Sequence, residues 1–267
     1  MINSSKQITI CCCLIILFSS CKDDGVKGDN TITSIPYVVG TSNSYRWSTQ
    51  IDSAGNFIQS ISDSFTVKIE SNTESFNGLN NLTLLEARRL SGTEVLQRVW
   101  YKMNNDSLTE IAYRFGPNMS GISIFPKRNS SIAFGSLMSL PRAINSVLAT
   151  KTALDSIILR DDPRIVYKFP LSIGMRWISF HSPFLQTREV VGTEQVTVQS
   201  GVYSCLKIKS SFYISSTDSL VYYDYVTKEG LILRTFTSRL LYTTENNPEG
   251  LGVFVTLDER LEIIAHI

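Results

Sequence analysis

The chain predicts an all-β fold of antiparallel meanders, curved into a sandwich or a half-open barrel. Three observations predict it. Short runs alternate apolar and polar residues with a period of two, the signature of half-buried strands. Turn-forming residues separate these runs at close intervals, which favours hairpins over the long crossovers that a parallel sheet needs. Only 18% of the 267 residues are charged, and Ser, Thr, Val, Ile and Tyr far outnumber Ala, a mixture that suits strands better than helices.

The elements follow in order. Residues 44–51 open the folded part and turn through Asp52-Ser53-Ala54-Gly55-Asn56. Residues 64–70 set Phe65, Val67 and Ile69 against polar partners, the clearest half-buried strand in the chain. Residues 82–90 and 94–103 pair around Ser91-Gly92, and 107–115 follows a turn at Asn104-Asn105-Asp106. The second half continues with strands at 165–169, 175–180, 186–191, 194–198, 203–211, 219–226, 231–242, 252–257 and 260–266. One segment breaks the rhythm. Leu140, Ile144, Val147 and Leu148 stand at helical spacing, with Ser139 as a cap and Pro141 in the first turn, and predict one short helix in the central connection.

The two halves resemble one another. Tyr45-Arg46-Trp47-Ser48 answers Met175-Arg176-Trp177-Ile178-Ser179, and Val67-Lys68-Ile69 answers Leu206-Lys207-Ile208. Val99-Trp100-Tyr101 with its following strand answers Val221-Tyr222-Tyr223 and 231–234. A duplication of this kind predicts two similar meanders, each opened by a buried tryptophan. The expected organisation is a signal peptide over 1–20, a lipidated tether over 21–34, and a β domain over 35–267. That domain divides into halves at 35–135 and 165–267, joined by 136–164.

The first 24 residues carry an address. Lys6 precedes an almost unbroken apolar run from 8 to 18, too short to span a bilayer, which takes about 20 residues, and the right length for a signal-peptide core. Phe18-Ser19-Ser20-Cys21 resembles a lipobox, where cleavage leaves a diacylglyceryl-modified Cys21 at the new N-terminus. Lys22-Asp23-Asp24 resembles the export signal that surface lipoproteins of the Bacteroidota carry directly after the lipidated cysteine. These resemblances imply an outer-membrane, lipid-anchored protein displayed at the cell surface. The residues after Asp24, rich in Asp, Gly, Asn, Ser and Thr, read as a solvated tether.

The C-terminal half has a family look. Residues 169–177, Val191-Gly192-Thr193-Glu194, the strand from Gly201 to Cys205 and Lys228-Glu229-Gly230 recur in that order in a group of uncharacterised bacterial envelope proteins, which they resemble. The group has a strongly curved β-sheet and is distantly similar in outline to the LolA and LppX lipid carriers. This implies a fold and no activity, and no ligand-binding residue of the carriers is matched.

Charge and cysteine use narrow the function. Losing Lys6 with the signal leaves 24 basic against 24 acidic side chains, so the mature chain has no electrostatic reason to seek nucleic acid. Of five cysteines, Cys11, Cys12 and Cys13 leave with the signal and Cys21 is spent on lipid. Cys205 is left without a disulfide partner and reads as a packed, inert thiol facing the same side as Tyr203 and Lys207. The two histidines, His181 and His266, have no ligand at metal spacing, so no metal or other cofactor is expected. Asp161-Asp162, flanked by Arg160 and Arg164, reads as a salt-bridged turn before Pro163 rather than a catalytic pair. Glu245 to Gly250 reads as a turn without the regular spacing of a calcium loop. No nucleophile elbow, Walker loop or dinucleotide fingerprint occurs, and no catalytic residue is assigned.

Four sites rise above this background. Ser53, Ser107, Ser156 and Ser219 each follow Asp and precede an apolar residue, a pattern that resembles the O-glycosylation site of exported Bacteroidota proteins. Composition alone yields about one such match, and the plainer reading is Asp-Ser turn chemistry, exposed on loops. Trp47, Trp100, Trp177, Tyr222, Tyr223 and Tyr225 could build a stacking shelf for sugars or line an apolar cavity, although core and cross-strand pairing is the plainer role. Tyr222 and Tyr223 must face opposite sides of their strand. The expected function is a non-enzymatic binding or structural protein whose partner is a glycan, a protein or an apolar ligand. The alternatives are a LolA-like carrier, which needs an apolar pocket of several hundred cubic ångströms, and a glycan-acting enzyme.

Overall fold

The computed structural model describes residues 31–53, 56–116, 157–182, 184–213, 219–242 and 253–267. The predicted helix at 140–149 and the turn at 245–250 lie outside them. Twelve strands are described: β1 (Ser42–Ser53), β2 (Asn56–Phe76), β3 (Leu79–Arg89), β4 (Val95–Met103), β5 (Ser107–Phe115), β6 (Ile158–Lys168), β7 (Arg176–Phe180), β8 (Gln186–Val198), β9 (Gly201–Tyr213), β10 (Ser219–Thr227), β11 (Gly230–Tyr242) and β12 (Val253–His266).

All twelve belong to one antiparallel sheet in the order β6-β5-β4-β3-β2-β1-β12-β11-β10-β9-β8-β7. Each half of the chain is therefore a six-stranded up-and-down meander, and the halves join where β1 pairs with β12 from Asn43↔His266 to Asp52↔Thr256. The sheet curls until its edges, β6 and β7, face each other. The result is a nearly closed barrel with one unsealed seam, between two strands that are neighbours in sequence. The expected all-β curved sheet is what the chain builds.

Local chemistry explains most of the turns. Asn77 and Gly78, at φ 51° and 78°, form the two-residue link between β2 and β3, since the Asn-Gly pair tolerates the left-handed geometry a tight hairpin requires. Several segments are longer than alternation alone suggests. Residues 186–191 and 194–198 are one strand, β8, broken only by a register shift between Val190 and Gly192. Residues 253–257 and 260–266 likewise belong to one strand, β12.

The expected turn at Asp161-Asp162 is corrected: both residues lie inside β6. Pro163 is tolerated there because β6 is an edge strand, where a missing N–H costs no ladder bond. The carboxylate of Asp162 does not pair with a neighbouring arginine but accepts from the backbone N–H of Ser182 at 3.1 Å and from that of His181.

The core fills the barrel. Tyr45, Trp47 and Ile51 from β1, Phe65 and Val67 from β2, Tyr222 and Phe236 from β10 and β11, and Phe180 and Phe212 from β7 and β9 are all buried. A smaller cluster of Leu82, Trp100, Ile111 and Ala112 packs separately, with Phe76 stacked on Trp100 at 6.1 Å.

Candidate functional site

The seam is the feature that sets this barrel apart from a closed one. No ladder joins β6 to β7, and side chains from the second half bond instead to the carbonyls of β6. The Trp177 indole N–H donates to the Ile165 carbonyl at 3.1 Å, and the Ser179 hydroxyl donates to the same oxygen at 2.9 Å. One strand further round, the Arg188 guanidinium reaches past β7 to donate to the Val166 carbonyl. Backbone acceptors at an open edge are thus satisfied by residues that alternation places on the inner face of β7 and β8.

Behind the seam lies a buried ionic cluster. Asp224 on β10 is fully buried and takes Arg188 from β8 and Arg234 from β11 on its two oxygens. Arg234 donates through Nε at 2.6 Å and through Nη2 at 3.0 Å. Arg188 also donates to the Ser210 hydroxyl at 3.0 Å and lies 5.5 Å and 5.7 Å from the ring centroids of Tyr167 and Trp177. Burial alone would lower the Arg234 guanidinium, but the Asp224 carboxylate outweighs it and holds Arg234 above the ordinary arginine range. A second pair stands further along β6. Arg160 donates to Glu110 through Nε at 2.7 Å, and Arg164 packs its guanidinium 4.4 Å from the Phe180 ring. Burial and the nearby Arg160 charge lower Arg164 to about 9.

Each buried carboxylate of this cluster has an arginine on it. That arrangement braces five strands, β5, β6, β8, β10 and β11, against one another. Among the described residues no group of three or more His, Cys, Asp or Glu could hold a metal ion. Sequence inspection missed the cluster, although a signal was present. Asp224 stands in phase with Tyr222 and Val226, and Arg234 with Ile232 and Phe236. A charge in the apolar phase of a strand must be paired if the strand is to fold.

The residues singled out from sequence are dispersed. Cys21, Lys22, Asp23, Asp24 and Ser156 lie outside the described residues. Ser219 opens β10 and is exposed, and Ser53 closes β1, half-buried. Ser107 is buried at the start of β5, where its hydroxyl donates to Asp106 at 3.2 Å, so the expectation of an exposed loop fails there. His181 follows β7 and is exposed; His266 ends β12, with Nδ1 2.9 Å from the Asn43 side-chain oxygen and Nε2 3.2 Å from the Tyr203 hydroxyl. Cys205 is buried, and burial, with Glu194 nearby, pushes its thiol up to about 12.

The aromatics form no common shelf. Trp47, Trp177 and Tyr222 belong to the main core, whereas Trp100 belongs to the separate cluster. Tyr223 and Tyr225 lie under the Lys207 ammonium at 4.8 Å and 5.3 Å.

One end of the barrel is closed by the chain's own entry. Ile32 and Leu171 exchange backbone bonds at 3.0 Å and 2.8 Å, and Gly40 donates to Ile69 at 2.8 Å. Residues 31–40 therefore cross the mouth from the β6–β7 turn to β2, burying Ile35. A cavity of about 90 Å³ remains beneath them, beside Tyr37, Tyr45, Tyr101 and Tyr167. Outside the barrel, a shallow groove of about 470 Å³ runs over β7, β8 and β9 along Ile178, Thr187, Lys209, Ser211 and Tyr213.

No family model matches the chain, and no curated protein matches it. Two crystal structures share its outline. A "putative lipoprotein" from Parabacteroides distasonis ATCC 8503 is 14% identical with a TM-score of 0.37, over 90% of this chain and 100% of that one. A "putative exported protein with YmcC-like fold" from Bacteroides fragilis NCTC 9343 is 15% identical with a TM-score of 0.36, over 88% of this chain and 99% of that one. The likeness is one of outline, and no residue role is carried over from either.

Proposed function

We propose that this chain is an outer-membrane lipoprotein, anchored through Cys21 and displayed at the cell surface, that works as a non-enzymatic binding or structural protein. The observation that carries the proposal is the place where the chain enters the barrel. Thr31 stands at the mouth beside Leu171, ten residues after Cys21. β1, β3, β5, β7, β9 and β11 all run away from that mouth and finish at the opposite end of the barrel. An anchored barrel of this kind holds one end at the membrane and presents the other.

The non-enzymatic reading is supported by the absence of a catalytic motif in the sequence and by the mutual pairing of the buried charges. A carrier is disfavoured by the 90 Å³ cavity beneath the entry segment, since an acyl chain needs several times that space. Glycosylation on the Asp-Ser pattern would fall on Ser219 or Ser53 before the buried Ser107.

Protease treatment of intact cells tests display. The protein should be degraded without permeabilisation, and a Lys22→Ala, Asp23→Ala, Asp24→Ala variant should become protected. Full protection of the unmodified protein until the outer membrane is opened would place the barrel on the periplasmic side.

A further inference from the structure

We infer that the mouth of the barrel beside the tether is a membrane-seating surface, with the lipid bilayer itself as its partner. The inference rests on the lipid anchor proposed at Cys21. Besides Leu79 and Val202, near the starts of β3 and β9, four apolar side chains are exposed at this end: Val38 at 56%, Val39 at 46%, Ile173 at 61% and Ile267 at 72%. They come from three separate places in the chain that the topology brings to one rim. Val38 and Val39 form the turn into β1, where Thr41 donates to the Val38 carbonyl at 3.1 Å. Ile267 follows β12 and exchanges backbone bonds with Ser42 at 2.9 Å and 3.2 Å. Ile173 stands in the turn from β6 to β7, across the mouth, two residues from the Leu171 bridge that holds the entering chain.

Exposed apolar side chains gathered on one rim mark a surface with a partner. The tether identifies that partner. Ten residues from Cys21 to Thr31 reach about 36 Å at full extension, so a lipid on Cys21 keeps this rim within that distance of the bilayer at all times. Phe57, Leu90, Leu159, Leu185 and Phe254 are exposed as well, but they lie at the far end of the barrel, where β2, β6, β8 and β12 begin and β3 ends, and the tether does not adjoin that end. The charges around the mouth are mixed: Lys168 and Lys228 are exposed, and so are Asp106 and Glu229. The contact is therefore apolar, and it does not require anionic lipid.

The test uses the full lipidated chain, reconstituted into phosphatidylcholine vesicles whose acyl chains carry bromine. Added tryptophans report position: V38W and I173W at the rim, F57W at the far end. Trp47, Trp100 and Trp177, all buried, supply the background measured in the unsubstituted protein. At the rim, the added emission should shift to the blue and be quenched, and the F57W emission should do neither. A V39D/I173D change should abolish quenching of V38W while the protein still floats with the vesicles. Rim emission that stays unquenched on floating, lipid-bearing protein overturns the seating and leaves the anchor intact. Equal quenching at both ends also overturns it. Protein that neither floats nor carries lipid mass on Cys21 overturns the anchor, and the seating with it.

Discussion

Replacing Asp224 by Asn removes one negative charge from between two buried guanidiniums and changes little else in shape. The side chains of Arg188 and Arg234 are each 2% exposed and that of Asp224 is 0% exposed, so water cannot replace the lost counter-charge. The amide keeps one acceptor oxygen but turns a donor NH2 toward a cation. Breaking a buried pair in this way costs about 3–5 kcal/mol. At about 2–4 °C per kcal/mol for a domain of this size, the melting temperature should fall by roughly 6–20 °C. Urea unfolding followed by tryptophan emission reads the loss directly, because Trp177 lies 5.7 Å from the Arg188 guanidinium. Arg46→Ala is the control. The arginine is 42% exposed, and its partner Glu262, although buried, keeps the bonds that Arg260 donates, so that change should cost only about 1 kcal/mol. Replacing the three charges together, as Arg188→Met, Asp224→Leu and Arg234→Met, should recover most of the loss, because the cost lies in unpaired charge. If D224N unfolds at the same urea concentration as the Arg46 control, the cluster does not brace the barrel as argued.

Two further outcomes follow from the same geometry. Trp177→Phe keeps a ring in the core but deletes the bond to Ile165, and should cost about 1 kcal/mol; hydrogen exchange should quicken in β6 near Ile165 and stay unchanged in β2, which tells a seam effect from a global one. Glu262 is buried, which would raise its carboxyl, but bonds from Arg46 and Arg260 hold it below the ordinary glutamate range. A depressed folded pKa contributes stability that is present above about pH 4.5 and is lost as the pH falls through the folded value. Glu262→Gln should therefore flatten the acid limb of a urea-midpoint profile and leave its shape near neutral pH unchanged.

Much of the candidate site could have been read more closely than alternation alone allows. Asn77-Gly78 is the strongest short hairpin signal in the chain, and it lies where the strand spacing left 71–81 unassigned. Asp161-Asp162-Pro163 looks like a turn because proline rarely occurs within a sheet, and it is a strand because β6 happens to be an edge. Being an edge is a property of the assembled sheet, so no local pattern announces it. The two tryptophans of the first half show the same limit. Trp47 and Trp100 both sit in alternating strands, yet one fills the barrel and the other packs with Phe76 in a separate cluster.

The sequence by itself determined the secondary structure class, the positions of most strands and the opposite facing of Tyr222 and Tyr223, because these depend on residue type and on a period of two within a few neighbours. The proposed lipobox and export signal are of the same local kind, since a processing enzyme would read them as linear text. Only the tertiary structure decided that β1 meets β12 across more than 200 residues of chain, that β6 and β7 face each other unpaired, and that Arg188 finds Asp224 36 residues away. Those are choices of partner. They depend on how the whole sheet curls and on which buried charges it must neutralise, and no short stretch of sequence contains both sides of the choice.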